Sequence, residues 1–192
     1  QLSEEPDRKP SAFDGVNTGF HVGQGAALAV FEKEHAGMST PMAKFLGAYT
    51  SAENNTNPLG QRPDGEGYSK AIDGSLHVAG VRKEDVNVVK THGTGTDANN
   101  KAEKAALHRS LNEFVATSYK PRIGHTLSAS GLLETGLLLN DMECGIVPQI
   151  LNRTEDDDVF LSYDAPAPRG PFLSLAAGMG NIYSAAIFSA EV

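Results

Sequence analysis

Two short stretches, HGTGT at residues 92–96 and SYKPRIGHTLSASG at residues 118–131, place two histidines and a lysine among glycines. His92 follows the apolar run DVNVVKT, Lys120 follows FVATSY, and His125 comes five residues later, before a run with helical spacing. In open α/β sheets, ligands bind at the carboxyl ends of the strands. We therefore expect two imidazoles and an ammonium to meet at one sheet edge, where glycines let the backbone approach a substrate closely.

Helix and strand patterns alternate on both sides of these stretches. Apolar residues recur at helical spacing in 68–79, 102–111 and 129–144, and Gly80 and Gly145 are suited to end the first and third of these helices. Strands are predicted at 19–32, 45–50, 85–91, 114–118, 146–151, 173–177 and 182–190, with an acidic loop at 155–158. The first two strands are expected to pair with each other and the last two to form a hairpin. This order indicates an α/β protein with layered helices and sheet.

Composition and charge exclude several classes of protein. The 192 residues carry a net charge of -8 and are 40% hydrophobic, which is typical of a globular protein but not of a nucleic-acid-binding one. No apolar run approaches the roughly 18 residues that suggest a membrane span. Cys144 is the single cysteine, which fits a cytoplasmic setting. The amino end, QLSEEPDRKP, has no initiator Met and no signal-peptide core, so we expect a piece of something longer.

Taken singly, each histidine has a simpler interpretation. A histidine in a loop is more commonly a surface or capping residue than a catalyst. The local spacings match no familiar zinc pattern, and Cys144 lies at the end of a separate helix, so no metal site is expected. The case for chemistry therefore depends on the motifs as a set.

Four motifs occur together in a particular order. They are FDGVNTGFHVGQGA at 13–26, HGTGT at 92–96, Glu103 eleven residues after His92, and SYKPRIGHTLSASG at 118–131. In order and approximate spacing they resemble the β-ketoacyl-acyl carrier protein synthase family. The resemblance implies a thiolase-like α/β fold of two similar βαβαβαββ halves. Residues 53–192 would form the carboxyl-terminal half, and residues 1–52 a lead-in with the last strands of the amino-terminal half.

The resemblance also implies a reaction. In the family, a cysteine is acylated by an acyl thioester, a malonyl thioester on acyl carrier protein loses carbon dioxide, and the resulting carbanion attacks the acyl group. By similarity, His92 and His125 stabilise the enolate oxygen as neutral hydrogen-bond donors. Lys120 would support the site electrostatically and pair with Glu103.

Further positions match residues that hold the substrate in the family. Thr94 and Thr96 resemble the hydroxyls that contact the phosphopantetheine arm, and Met179 stands where the family has a gating Phe. Because this arm arrives on the carrier protein, no resident cofactor is expected. The expected partners are acyl carrier protein, a cysteine-bearing amino-terminal half or partner chain, and a second complete ketosynthase unit in a dimer.

Several positions depart from the family's pattern. The nucleophile region is absent from this sequence, and Cys144 is no substitute because it matches an ordinary structural position. Asn17, Gln24 and Asn100 stand where the family has Arg, Glu and Asp, so each removes a charge. These changes leave two alternatives open besides an active enzyme: a non-catalytic subunit similar to a chain-length factor, and, more remotely, a thiolase-type binding module.

Overall fold

The computed structural model describes residues 2, 7, 9–15, 19–36, 40–55, 57, 60–154 and 159–190. Its strands are β1 (Ala43–Ala52), β2 (Val88–Lys90), β3 (Val115–Thr117), β4 (Ile146–Val147), β5 (Ala165–Pro166), β6 (Gly170–Gly178) and β7 (Ile182–Ala190). Its helices are α1 (Glu66–Ala79), α2 (Asp97–Ser110), α3 (Lys120–Ile123) and α4 (Ser130–Glu143). The predicted acidic loop at 155–158 and the position of Asn17 lie outside the described residues.

One mixed sheet organises these elements. Its five strands run in the order β1, β7, β6, β2, β3, and a separate two-stranded sheet joins β4 to β5. Strand β2 lies parallel to both β3 and β6, whereas β7 is antiparallel to β6 and β1. Because β2 and β3 are parallel neighbours, the segments that leave their carboxyl ends emerge at the same edge of the sheet.

Helices cover both faces of the sheet, as the alternation of patterns predicts. Along β2, Val88 belongs to an apolar cluster with Leu138 and Met142 of α4, whereas Val89 belongs to a second cluster with Ile72 of α1. Successive side chains of a strand point to opposite faces, so the two clusters lie on opposite sides of the sheet. The expected layered α/β architecture is therefore present.

Glycines end the helices where the sequence predicts. Helix α1 stops at Gly80, which has φ 65° and donates its N–H to the carbonyls of Leu76 and His77. Helix α4 stops at Cys144, and Gly145 follows with φ 81°. A glycine with positive φ satisfies the last carbonyls of a helix without the steric penalty that a side chain would pay.

Three strand predictions are wrong in whole or in part. Residues 19–32 form no strand; among the described residues they make only isolated bridges, from Phe20 to Leu2 and from Val22 to His125. The predicted strand at 45–50 exists as part of β1, but it pairs with β7. An alternating pattern specifies that a segment is extended and leaves its partner undetermined. The predicted strand at 146–151 is shortened to the two residues of β4.

The division of the chain at residue 52 stays a prediction. Strand β1 ends at that residue, yet it forms the edge of the same sheet as β6 and β7. Within the described part of the chain, no helix is long and apolar enough to cross a membrane.

Candidate active site

The loops that follow β2 and β3 are joined by hydrogen bonds at the sheet edge. The N–H of Thr91 donates to the carbonyl of Thr117 (2.9 Å), and the hydroxyl of Ser118 donates to the carbonyl of Gly93 (3.2 Å). Gly93 has φ 53°, and a Cβ built there would lie 2.2 Å from Oγ of Ser118. The HGTGT stretch therefore turns tightly against the start of the SYKPRIGH stretch, which brings His92 and Lys120 together.

His92 is buried, with 5% of its surface exposed. Its Nδ1 accepts a hydrogen bond of 3.2 Å from the N–H of Ala177, near the end of β6. Burial, followed by the charges of Lys120 and Lys90, holds the pKa of His92 well below its usual value. An uncharged imidazole whose Nδ1 is an acceptor carries its proton on Nε2.

His125 is held in the same tautomer by different partners. The N–H of Leu127 donates to its Nδ1 (3.1 Å), and the hydroxyl of Ser130 lies 3.0 Å from that atom. Burial and then Lys120 lower the pKa of His125 to about 4. Its backbone N–H donates to the carbonyl of His21 (2.7 Å), so the GFHVGQGA stretch helps to position it.

The two imidazole rings are neighbours and are nearly perpendicular to each other. Their ring centroids are 5.6 Å apart and their planes make an angle of 82°. Both rings are uncharged near neutral pH and both bear a proton on Nε2. Such a pair can donate two hydrogen bonds to an oxygen that gains negative charge, because fixed donors stabilise developing charge without reorganisation.

The predicted ion pair between Lys120 and Glu103 is wrong. Glu103 is buried and accepts the backbone N–H groups of His92 (2.5 Å) and Gly93 (3.0 Å), and the side-chain amide of Asn99 (2.9 Å). Burial raises the pKa of Glu103, although these hydrogen bonds act in the opposite direction. Glu103 therefore holds the backbone of the HGTGT turn instead of pairing with the lysine.

Lys120 pairs with Glu134, which the sequence analysis missed. Its Nζ donates to Oε1 of Glu134 (2.8 Å) and to the carbonyl of His92 (2.5 Å). A second buried lysine, Lys90, donates from its Nζ to Oε2 of the same carboxylate (3.2 Å) and to the carbonyl of Leu175 (2.6 Å). The available signal was a charge inside each of two apolar runs, VVKT and GLLETGLLL.

These charges alter one another's ionisation. The pKa of Lys120 is lowered to about 8. Burial is the largest cause and the charge of Lys90 acts in the same direction, whereas the carboxylate of Glu134 opposes both. Burial also acts to raise the pKa of Glu134, but the two ammonium groups outweigh it and the pKa lies below its usual value. The carboxylate therefore stays ionised at neutral pH.

Of the predicted substrate-binding residues, Thr94 and Thr96 lie in the HGTGT turn that follows His92. Oγ1 of Thr96 accepts the N–H of Asn99 (3.4 Å) as the N-cap of α2, and it lies 3.1 Å from Oγ1 of Thr94. Met179 is 81% exposed in the turn between β6 and β7, two residues after Ala177. Their contacts with a substrate stay a prediction.

The residues that depart from the family's pattern differ in burial, and the single cysteine lies away from the site. Gln24 is exposed. Oδ1 of Asn100 is buried and accepts no hydrogen bond from the described residues. Cys144 is exposed at the end of α4, ten residues beyond Glu134 and therefore about 15 Å along the helix axis. This position keeps the single thiol away from the paired histidines.

Comparisons with known proteins agree with this geometry. Residues 42–154 match the family described as "Beta-ketoacyl synthase, C-terminal domain". The chain is 31% identical to the tetracenomycin polyketide synthase ketoacyl synthase alpha subunit of Streptomyces glaucescens, over 97% of this chain and 46% of that protein. It is 30% identical to the chloroplastic 3-oxoacyl-[acyl-carrier-protein] synthase II of Arabidopsis thaliana, over 95% of this chain and 35% of that protein. The chain spans about half the length of the polyketide relatives.

Solved structures give the same result for the fold. The ishigamide ketosynthase/chain length factor superposes with a TM-score of 0.87 and 25% identity, covering 99% of this chain and 49% of that one. A second match is a chain from the complex of a type II polyketide synthase acyl-carrier protein with its ketosynthase. It superposes with a TM-score of 0.72 and 24% identity, covering 79% of this chain and 39% of that one. The chain therefore belongs to the β-ketoacyl synthase family, whose carboxyl-terminal domain it carries in a thiolase-like fold.

Proposed function

We propose that this chain is the enolate-stabilising part of a β-ketoacyl-acyl carrier protein synthase, an acyltransferase that acts in polyketide or fatty acid biosynthesis. The observation that carries the proposal is the pair of neutral imidazoles at 92 and 125, with ring centroids 5.6 Å apart. Relatives named as polyketide and fatty acid ketosynthases support the same reaction class.

The proposed reaction begins with decarboxylation of a malonyl thioester on acyl carrier protein. The bond to the carboxylate breaks, carbon dioxide leaves, and the electron pair remains as an enolate whose charge lies largely on the thioester oxygen. His92 and His125 donate to that oxygen from Nε2. The carbanion carbon then attacks an acyl group held on a cysteine, and the cysteine sulfur leaves as a thiolate.

Charged residues hold His92 in place for this step. Glu103 accepts the N–H of His92, and Lys120 donates to the carbonyl of the same residue. The backbone polar groups of His92 and its Nδ1 are occupied by these hydrogen bonds and by the N–H of Ala177, which leaves Nε2 as the donor. Thr94 and Thr96 are proposed to contact the phosphopantetheine arm, which the carrier protein brings, and Met179 to gate the acyl pocket.

The cysteine is proposed to come from the amino-terminal half of a complete ketosynthase. An apolar face supports this proposal: Leu28, Val30 and Phe31 are exposed at 87%, 78% and 66%, and Phe31 packs edge-on against Phe45 of β1. A soluble protein rarely leaves such a contiguous patch uncovered. A dimer of complete units, and docking of acyl carrier protein, complete the proposed assembly.

Decarboxylation of malonyl-acyl carrier protein by the complex with its cysteine-bearing half tests the proposal. Replacing one donor, by His92→Ala or His125→Ala, should lower the rate by about 10²–10³. His77→Ala is the matched control, because that histidine is exposed in the last turn of α1. Condensation that continues unchanged after both active-site substitutions would exclude the enzymatic role.

A non-catalytic partner resembling a chain-length factor is the second candidate. It is favoured by the buried Oδ1 of Asn100, which lacks a hydrogen bond from the described residues where the family has an Asp. Under this alternative, the histidine variants would leave condensation by the partner intact, while substitution of Met179 would change product chain length. Retention of both histidines, Lys120 and Glu103 favours the enzyme.

A further inference from the structure

A buried lysine beside the paired histidines has no part in the reaction described so far. Lys90 is the last residue of β2 and is fully buried. Residues two apart on a strand share a face, so Lys90 points to the same side as Val88, which packs against Leu138 and Met142. On α4, Glu134 precedes Leu138 by one turn and continues the stripe that faces this strand. The strand and the helix therefore bring the ammonium and the carboxylate together.

The carboxylate of Glu134 is shared between two lysines. Lys90 binds Oε2 (3.2 Å) and Lys120 binds Oε1 (2.8 Å), and all three side chains are buried. Each ammonium also binds one backbone carbonyl, that of Leu175 for Lys90 and that of His92 for Lys120. A continuous path of hydrogen bonds thus runs from Lys90 through Glu134 and Lys120 to the backbone of His92.

Packing alone does not account for Lys90. An apolar side chain would continue the stripe formed by Val88, Leu138 and Met142 without the desolvation cost that a buried ammonium carries. Lys120 already neutralises Glu134, so the carboxylate needs no second partner to remain ionised. The second lysine therefore adds positive charge next to the site at an energetic cost that the fold does not require.

We propose that Lys90 is a positioning residue that acts through Glu134 on Lys120. By binding Oε2 it holds the carboxylate so that Oε1 faces Lys120, and by sharing the counter-ion it determines the pH at which Lys120 loses its proton. This inference rests on the proposed function, because it assigns Lys120 to the decarboxylation site.

The charges around Lys120 give the direction of the effect. The titratable groups that face it are Glu134 on α4, Glu103 on α2, Lys90 on β2, and the imidazoles at 92 and 125. Burial lowers the pKa of Lys120 to about 8, both carboxylates raise it, and Lys90 lowers it. Removal of the charge on Lys90 should therefore raise the pKa of Lys120.

Lys90→Met tests the proposal in the complex with the cysteine-bearing half. This variant leaves Glu134 paired with Lys120, so no uncompensated charge is buried. The basic limb of the pH profile for decarboxylation should move up by about one unit, the usual size of a nearby-charge effect. The ¹³Cε resonance of Lys120 should titrate with the same shift. Lys101→Met, an exposed lysine of α2, is the control and should change neither.

Further measurements keep the outcome decisive. Lys90→Gln is the second variant, because its amide can still donate to Leu175 but carries no charge. If neither variant folds, the Lys90 ¹³Cε resonance of the unaltered protein should shift at the midpoint of Lys120, as coupled groups do. A Lys120 midpoint that stays unmoved in the variants, or an insensitive Lys90 resonance, would overturn the proposal. A complex without decarboxylase activity would refute the proposed function, whereas the resonance of Lys120 would still decide the role of Lys90.

Discussion

At the scale of single residues, the role of each histidine depends on which of its ring nitrogens already makes a hydrogen bond within the protein. Nδ1 of His92 accepts a backbone N–H from Ala177, and Nδ1 of His125 accepts one from Leu127. The backbone thereby selects the tautomer of both rings. Because the partners are amides, which do not titrate near neutral pH, the selection holds over a wide pH range.

The pH dependence of decarboxylation follows from these ionisations. His125 has a pKa of about 4 and stays uncharged above pH 5, and burial holds the pKa of His92 well below its usual value, so that both rings are uncharged near neutral pH. Lys120, with a pKa of about 8, is charged below that pH and loses its charge as the pH rises through it. We expect kcat/KM to lack a histidine limb between pH 5 and 7 and to fall above about 8. An acid limb centred near 6.5, the ordinary value for histidine, would contradict this expectation.

Glu103 should stabilise the fold and the site through the backbone. In Glu103→Gln, an amide NH₂ must face one of the N–H groups of His92 or Gly93, and a buried donor left without an acceptor costs about 1–3 kcal/mol. We expect that loss in the free energy of unfolding, measured by denaturant titration, with slower decarboxylation. Glu113→Gln, at an exposed position, is the control. If the two variants had the same free energy of unfolding, the hydrogen bonds that Glu103 accepts from the backbone would not stabilise the fold.

At the scale of elements, the site is built where two parallel strands end beneath one helix. Strands β2 and β3 release the HGTGT and SYKPRIGH stretches at the same edge, and α4 carries Glu134 over them. The tight turn at Gly93 then sets the distance between the two stretches. The geometry of the site is thus determined by strand register and by one close approach of the backbone.

Gly93→Ala should damage this arrangement. The residue has φ 53°, and a Cβ would lie 2.2 Å from Oγ of Ser118. Both the positive φ and the clash oppose alanine, so we expect lower stability together with slower decarboxylation. The control is Gly136→Ala in α4, where nothing lies within 4 Å of the added Cβ. At that position alanine should raise the free energy of unfolding by about 0.5–1 kcal/mol, because glycine weakens a helix.

Opposite signs for the two glycine substitutions are the expected result, read from thermal unfolding of each variant. If Gly93→Ala were as stable and as active as the unaltered chain, the close packing of Gly93 on Ser118 would be refuted.

At the scale of the whole molecule, one side of the described chain exposes apolar surface next to an extended segment. The extended segment 24–35 makes no strand ladder with the described residues, and its large apolar side chains are exposed. Unpaired backbone next to exposed apolar surface is suited to accept a partner. Under the proposed function, this partner also brings the cysteine to the histidines.

Leu28→Asp should weaken assembly with the cysteine-bearing half and leave the chain itself folded. Leu28 is 87% exposed, so the substitution removes little packing within the chain. In the complex, however, the new carboxylate would be buried against apolar surface. Sedimentation analysis of the mixed halves should show the loss of the complex. Tyr163→Asp, which is exposed at 63% outside this segment, is the control and should assemble normally.

Local patterns were sufficient for much of the fold. Helical spacing and a following glycine located α1 and α4, and alternating runs around GMGNIY located the β6–β7 hairpin. The motifs also led us to expect the rings of His92 and His125 at one sheet edge, where the structure has them 5.6 Å apart. These features depend on neighbours in the sequence, or on the general rule that strand ends gather at one edge.

The partners of residues distant in sequence were decided only by the tertiary structure. Glu103 and Glu134 both lie on helices near Lys120, and only the packing of α4 over β2 shows that Glu134 is the counter-ion. In the same way, β1 pairs with β7 although 19–32 precedes it. The sequence by itself determined the elements, the family motifs and the residues that carry charge. The contacts among those charges arise from the helix face and strand edge that meet after folding, and no local pattern encodes that choice.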